Sequence, residues 1–552
     1  MNHPPETQAV GLDPEYREMV LDTIRQLRKR LLTKERILEY DRKEIFPEPV
    51  IREMLSPEIG LQLVFIPEQY GGMGGGARDS CAVTREMSRI CLGIATAFFA
   101  IQLGADPLMV GGTEEQKQRW LGAIAEGKSL VAYAVTEPGA GSNLAALTTK
   151  ADPVTDDAGN RIGYRVNGNK QFISTGGYAD FITLLAKTPE GPTFFVVEKG
   201  TEGFVQGKGE EKHGIRASNT SPLTFTDVFV PPENVIGGEP GRGLKQANAV
   251  FGYTRLMVAA MALGAMDALF DITVPYAKER IQFGSPLSEK QGYTHKLIVP
   301  HAVRRLAASA YIDEVALRLD NHPDEDFQVE GSIAKFFSTE ASNAAADSAM
   351  QALGGYGYIC EFEVEKIKRD VKITCIYEGT SEIQQNIIST FRWKKTRKTK
   401  GGYYEGLAEE MSALAESHPG CGARSYAVCA RALNAAVNLA HEHRLTKLQH
   451  VMFALADMMT HVEVGIGLSR KAAAAAASEA EMFQAASRIF ANEVCQLMLA
   501  KLRLMLAGSG AFEESFIAEF MEKVGESEMV KSYAGIIADM DRMADHIFER
   551  AS

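Results

Sequence analysis

The chain has 552 residues, of which 45% are hydrophobic, 8% aromatic and 24% charged, a globular profile that excludes collagen-like, low-complexity and disordered readings. One hydrophobic core does not serve a chain of this length, and roughly three or four domains are expected. Fifty-nine Lys and Arg stand against 71 Asp and Glu, a net charge of −12, so a general nucleic-acid binder, which needs a basic surface for phosphates, is disfavoured.

The first ten residues, MNHPPETQAV, contain no basic segment followed by an apolar one, so no secretory signal is expected. From about residue 12 to 128 the pattern is helical, interrupted at Pro47, Pro57, Pro67 and the YGGMGGG stretch. Between 130 and 236 the texture changes to strands. VAYAVT, GYRVNG, KQFIS, DFITLLAK, TFFVVEK and LTFTDVFV are rich in β-branched and aromatic residues, and turn clusters such as DDAGN and VNGN separate them. Helical periodicity returns from about 241 and is broken once, at Gly354, Gly355 and Gly357. The longest apolar run, Leu256 to Met266, ends at Asp267 and falls short of the ~20 residues of a bilayer span. A soluble protein is expected, with surface attachment to a membrane left open.

A boundary is predicted near 395, where FRWKKTRKTK carries six basic side chains ahead of Gly401 and Gly402. This segment reads as a solvated linker, or as a docking point for anionic lipid or an acidic protein. Beyond it, 403–552 is a further helical unit. Leu448, Val451, Leu455, Met458, Val462 and Ile466 recur as one buried helix face, Ala472 to Ala477 is a strong helix former, and GSG at 508–510 is a helix stop. The order α, β, α, α without repeated βαβ units argues against a Rossmann domain.

Several chemistries are absent. Seven cysteines, none in a CxxC pair, indicate reduced thiols rather than disulfides or zinc. Gly139-Ala-Gly141 starts a GxGxxG, but Leu144 takes the last glycine's place, and no GxSxG or HExxH occurs. Histidines 441, 443, 450 and 461 read as exposed helix positions, and no metal is expected. What remains is a set of segments specific in combination: YAVTEPGAGSN (133–143), KQFISTGG (170–177), ERIQFG (279–284), QALGGYG (351–357) and RDVKITCIYEGTSEIQ (369–384). Small residues and hydroxyls at strand ends let backbone approach a ligand closely.

In this order these segments resemble the acyl-CoA dehydrogenase family, over roughly residues 15–392. The resemblance implies an α+β multidomain fold: a helical N-terminal domain (12–128), a central antiparallel β domain (129–238), a C-terminal four-helix bundle (239–394) and here an additional helical extension (403–552). It implies FAD, an acyl-CoA thioester as substrate, and electron-transfer flavoprotein as electron acceptor. Glu378 in IYEGTS matches the family's catalytic base, which removes the pro-R α-proton while the β-hydride goes to flavin N5. The backbone N–H of Glu378 and a ribityl hydroxyl would form the oxyanion hole, and desolvation is expected to raise the base's pKa. A carboxylate interacting with a helix N-terminus is the blander reading of Glu378.

For the cofactor, the resemblance implies Tyr133, Val135, Thr136, Gly141 and Ser142, with Phe172 where relatives usually carry Trp and Ser174 in place of a common Thr. Asn143 stands where many relatives have Asp, and caps nearly as well. Arg280 and Phe283 would meet the FAD of a neighbouring subunit, with Gln351, Gly354 and Gly355 on the same ligand and Thr380 and Glu382 at its nucleotide end. Substrate contacts are assigned to Ala95, Phe98, Phe99, Ser142, Phe251, Arg255, Tyr377 and Gly379. Ala95 falls where glutaryl-CoA dehydrogenases place a carboxylate-binding Arg, so a dicarboxylyl substrate is disfavoured, and the bulk of Phe99 suggests a short, branched or cyclic acyl chain.

Two family branches carry an extension: a very-long-chain type, dimeric and attached to the inner membrane, and an alkylation-response type with a basic DNA-binding domain. Residues 401–552 hold 13 basic and 20 acidic side chains, a poor DNA partner. The extension is expected to cover the place of a second dimer in tetrameric relatives, giving a homodimer. A cytoplasmic location is expected, with peripheral membrane or protein docking through 392–400. An acyl-CoA oxidase that uses oxygen directly, and a flavin-bearing DNA-binding or scaffold protein, are the competing readings.

Overall fold

The computed structural model describes residues 11–323 and 325–550. The chain divides into two compact units: the first runs through Ala265 and adds Ala316–Glu325 and Arg369–Thr374, and the second comprises Met266–Val315, Asp326–Lys368 and the chain from Cys375.

In the first unit the N-terminal third is helical, as the sequence predicts. Helix Pro14–Arg30 starts with Asp13 accepting from Glu15 N at 2.8 Å and a proline in its first turn, where the missing N–H costs nothing. Helix Ala77–Ile90, which follows the glycine stretch, is capped by two carboxylates. Asp79 accepts from Gly76 N at 2.8 Å, and Asp320 accepts from Ala77 N at 2.6 Å and Arg78 N at 3.2 Å. Burial raises the pKa of Asp320 against the pull of those amides. Helix Leu92–Gly111 carries no charged residue in its first four turns and is buried on nearly every side, the pattern of a core helix.

Seven strands follow: β1 (Val131–Ala134), β2 (Lys150–Thr155), β3 (Arg161–Ser174), β4 (Phe181–Thr188), β5 (Gly191–Glu198), β6 (Phe204–Gln206) and β7 (Thr220–Val230). They form one sheet in the order β1-β4-β2-β3-β7-β6, with β5 on the free side of β4's pairing. The sheet is antiparallel except at β1, which runs parallel to β4 from Val131↔Phe181 to Ala134↔Leu184, and at the single pair Lys150↔Lys187. Tyr164, Val166, Ile182, Phe195 and Leu223 build its core. The β3–β7 register shifts between Lys170 and Ile173, and this bulge turns Phe172 and Ser174 out of the regular alternation.

The second unit is helical. Its main helices are the later part of Gly243–Glu279, most of Val299–Asn321, then Gln328–Leu353, Ser381–Lys398, Gly402–Ser417, Ala423–Glu442, Gln449–Ala473, Ala477–Leu506 and Ile536–Phe548. The basic segment expected as a linker is instead the end of helix Ser381–Lys398. Arg392, 3% exposed, bonds Glu330 at 2.9 Å and Glu463 at 2.7 Å, and the hydroxyls of Tyr403 and Tyr404 each donate to Glu463 at 3.1 Å. A charge count takes every Arg for a surface group, whereas this one is held inside by paired carboxylates.

Three more expectations need correction. The alanine run does not form one helix: helix Gln449–Ala473 stops there, and Ala477–Leu506 begins after a turn at Ala474–Ala476. Propensity yields here to the packing of the two helices against each other, and small side chains let the reversal be tight. Leu448 precedes its helix and is 45% exposed, while Val451, Leu455, Met458, Val462 and Ile466 are buried as expected. His461 is not a surface histidine. It packs on Phe337 and Phe490, Nδ1 meets Asp457 O at 2.8 Å, and burial lowers its pKa. The stop at GSG is present, with helix Ala477–Leu506 ending before it and Gly510 at φ 66°. Among the described residues three helices, Leu92–Gly111, Gly243–Glu279 and Gln449–Ala473, are long and apolar enough to cross a bilayer by length and composition. A single uninterrupted apolar run understates them. Their apolar stretches are 83%, 72% and 83% buried within the protein.

Candidate active site

The first set of site residues lies in the first unit, at the ends of β1 and β3. Val135 and Thr136 continue from β1, and Thr136 O accepts from Gln171 N at 2.9 Å. After them the chain turns through Glu137–Ala140 into the exposed Gly141, Ser142 and Asn143. A β-carbon placed on Gly139 or Gly141 would meet no atom within 4 Å, so packing does not require these glycines, and the space beside them is open to a ligand. Asn143 Oδ1 accepts from Ala145 N at 3.2 Å, the cap expected of it. Across the sheet Phe172 sits at φ 60° with 63% of its surface exposed. An aromatic residue held in the left-handed region and facing outward is costly unless something stacks on it. Tyr133 lies with its ring 5.8 Å from Phe194 and 6.4 Å from Phe251.

Beneath this open surface lies a pair that the motif reading missed. Lys170, fully buried, donates to Glu137 Oε1 at 2.8 Å and to Val135 O at 2.9 Å. Glu137 also accepts from Thr148 N, Thr148 Oγ1 and Thr149 N. Burial works to raise the Glu137 carboxyl, but Lys170 and the two threonines outweigh it and hold the pKa at about 2. Burial brings Lys170 down to about 8 against the attraction of Glu137. The signal was legible: Tyr164, Val166, Gly168 and Lys170 alternate along β3, which puts a lysine on the inward face.

The assigned acyl-side residues are also in the first unit. Ala95, Phe98 and Phe99 are buried on helix Leu92–Gly111, with the Phe98 ring 5.9 Å from Phe65 and 5.1 Å from Phe99. Thr175, next to Ser174, donates to Ala97 O at 3.4 Å, tying the strand end to this helix. Arg255 is 6% exposed, with its guanidinium 5.9 Å from the Phe251 ring.

The second set lies in the second unit and centres on Tyr377-Glu378-Gly379-Thr380. Glu378 has φ 55° and Gly379 φ 88°, two successive left-handed residues before helix Ser381–Lys398, whose N-cap Thr380 accepts from Ile383 N. Gln384 donates to Glu378 O at 3.0 Å and Gly379 O at 2.9 Å. Lys335 donates to Gly379 O at 2.6 Å, and Glu340 accepts from Ser381 Oγ at 2.5 Å. Glu382 is exposed in the first turn of the helix. Lys335 and Gln384 escaped the motif reading as well, although a lysine inside the buried stretch Ile333–Ser338 is a visible anomaly.

Arg280 leads into a two-residue hairpin in which Ile281 pairs Pro286 and Gln282 pairs Ser285. Its tip residues Phe283 and Gly284 have φ 51° and 84°, and Phe283 is 98% exposed. The Arg280 guanidinium lies 6.0 Å from the Tyr356 ring. Helix Gln328–Leu353 ends at Gly354, φ 59°, next to the exposed Gln351. A β-carbon on Gly354 or Gly355 would meet nothing within 4 Å, whereas one on Gly357 would strike Met350 O at 2.3 Å. Packing therefore demands Gly357 and leaves the surface at Gly354 and Gly355 open.

Domain models for the N-terminal, middle and C-terminal parts of acyl-CoA dehydrogenase match residues 14–128, 132–228 and 241–391. An acyl-CoA dehydrogenase of Bacillus subtilis (strain 168) is 36% identical over 379 residues, 66% of this chain and 97% of its own. The chain belongs to the acyl-CoA dehydrogenase family and is an oxidoreductase. The structure of butyryl-CoA dehydrogenase from Megasphaera elsdenii superposes with TM-score 0.64 at 34% identity, covering 69% of this chain and 98% of that one. An acyl-CoA dehydrogenase from Bacillus anthracis, solved with FAD, superposes with TM-score 0.84 over 99% of this chain and 97% of its own. At 24% identity that likeness speaks for the fold, and it takes in the C-terminal extension.

Proposed function

We propose that the protein is an FAD-dependent acyl-CoA dehydrogenase that converts an acyl-CoA thioester to the trans-2-enoyl-CoA, with Glu378 as the base. The observation that carries this reading is the fixed left-handed turn at Glu378-Gly379 in front of an N-capped helix. It presents a carboxylate from rigid backbone, as removal of a weakly acidic α-proton requires. The donor set on each unit fits FAD: an outward aromatic at Phe172, hydroxyls at Thr136, Ser142 and Ser174, and uncrowded glycines at 141, 354 and 355. When bound, FAD supplies the hydride acceptor.

The chain's own residues do the rest. Glu378 takes the α-proton, and its backbone N–H donates to the thioester oxygen as negative charge develops there. Phe172 stacks beside the flavin ring, with Thr136, Ser142 and Ser174 as hydroxyl donors. Arg280 and Phe283 reach the FAD of a second subunit, which accounts for a phenylalanine 98% exposed at a hairpin tip. Tyr133, Val135, Gln351, Thr380 and Glu382 complete the cofactor contacts, and Phe251, Arg255, Tyr377 and Gly379 those to substrate.

The substrate is assigned as a short, branched or cyclic acyl-CoA, in keeping with the bulk of Phe98 and Phe99 and with the butyryl-CoA relative. Electron-transfer flavoprotein is the proposed acceptor and a homodimer the proposed assembly, which light scattering checks. The exposed Lys394, Lys395, Arg397 and Lys398 are the proposed docking point for an anionic surface, without Arg392. Salt-sensitive sedimentation with anionic liposomes supports docking, and its absence removes it. The assignment as a whole is tested by flavin bleaching with a panel of acyl-CoAs and a ferrocenium-type acceptor. Butyryl-CoA or a branched or cyclic thioester should outpace palmitoyl-CoA, and the reverse order overturns the substrate class.

A further inference from the structure

The Glu378-Gly379 turn is expensive as an isolated piece of chain. A non-glycine residue in the left-handed region is strained, and here a second left-handed residue follows it. Two side chains meet its carbonyls. The Gln384 amide spans both, at 3.0 Å to Glu378 O and 2.9 Å to Gly379 O. Lys335 Nζ reaches Gly379 O at 2.6 Å. Both are fully buried, and they approach from different helices, Ser381–Lys398 and Gln328–Leu353. The latter helix also supplies Glu340 to Ser381 Oγ, so it grips the turn on both sides.

Desolvating an ammonium is costly, and an apolar side chain of similar volume is often as stable or more so. Lys335 is kept at zero exposure with its ammonium on a carbonyl of this turn, one residue from Glu378. We propose that Lys335, with Gln384, is the positioning device of Glu378: together they fix the turn that aims the carboxylate. The proposal rests on the reading of Glu378 as the base. Lys335 touches neither substrate nor cofactor in this assignment and is a positioning residue.

The test compares Glu378→Gln, Lys335→Met, Lys335→Arg and Gln384→Ala in the full-length, flavin-loaded protein. Measurements are rapid-reaction flavin bleaching by butyryl-CoA across pH 5.5–9, melting temperature and flavin content. Lys335→Met is expected to keep its flavin and melting temperature but to lose about tenfold or more in the bleaching rate at saturating substrate. Gln384→Ala should lower the rate in the same way, and Lys335→Arg, which keeps a donor for Gly379 O, should restore it in part.

A Lys335→Met protein with the wild-type rate overturns the proposal while Glu378→Gln remains inactive. One that fails to fold or to bind flavin assigns Lys335 to stability and overturns its part, and Gln384→Ala then decides the turn clamp on the same readout. An active Glu378→Gln removes the underlying reading instead, whatever Lys335 does.

Discussion

Two buried ionic clusters, one in each unit, make an instructive pair. Glu137 and Lys170 lie under the strand ends of the first unit, and Arg392, Glu330 and Glu463 lie inside the helices of the second. Both are almost inaccessible, and both satisfy carboxylates with cations and hydroxyls. Their surroundings differ. Lys170 also holds Val135 O, one residue from the exposed turn with Gly139, Gly141 and Ser142, whereas Arg392 joins helix Ser381–Lys398 to Gln449–Ala473 and Gln328–Leu353. Burial of charge alone does not announce a site. The open surface beside the charge does.

The largest expected effect separates them on stability. Arg392→Met leaves two buried carboxylates facing each other and should cost at least about 3–5 kcal/mol, read as a large fall in denaturant midpoint. The protein that still folds should bind flavin normally. Lys170→Met strands one carboxylate that keeps its threonine donors, so the loss should be somewhat smaller, on the order of 3 kcal/mol. Here flavin should be released, seen as loss of visible absorbance on gel filtration. Equal flavin retention in the two variants would erase the distinction.

A pH series sharpens the comparison further. Glu137 has a folded pKa of about 2, lowered from 4.5, so its stabilisation is complete above about pH 4.5 and is lost as pH falls toward 2. The decline in melting temperature from pH 5 to 3 should be shallower in Glu137→Gln than in the wild type. Lys170, down to about 8 from 10.5, acts the other way. Its protonated form is penalised below pH 8, and that penalty fades as pH rises to 10.5. The smallest effect is expected at Phe283. With 98% of its surface exposed, Phe283→Ala should change stability by less than about 0.5 kcal/mol while weakening FAD retention, measured by equilibrium dialysis.

Much of this was legible in the sequence, and the gaps have common physical causes. The α, β, α order was visible because strand and helix periods differ over long stretches, and IYEGTS and TEPGAGSN marked their turns through glycine and hydroxyl chemistry. Lys170 and Lys335 leave no local pattern because each acts through a backbone carbonyl of another segment, whereas Gln384 lies in the same segment as Glu378 and reaches back to Glu378 O and Gly379 O. Arg392 reads as a surface charge because Glu330 and Glu463 lie far from it in sequence. The alanine run misled for the opposite reason, since a strong local preference was overruled by two long helices that fold back on each other.

The central claim is that Glu378 removes the α-proton in an FAD-dependent oxidation. It is tested most directly by anaerobic stopped-flow bleaching of the flavin with one acyl-CoA, comparing the wild type with Glu378→Gln at matched flavin content. The rate should fall by about 10²–10⁴ with binding of the thioester preserved. Bleaching at the wild-type rate in the variant would contradict the account.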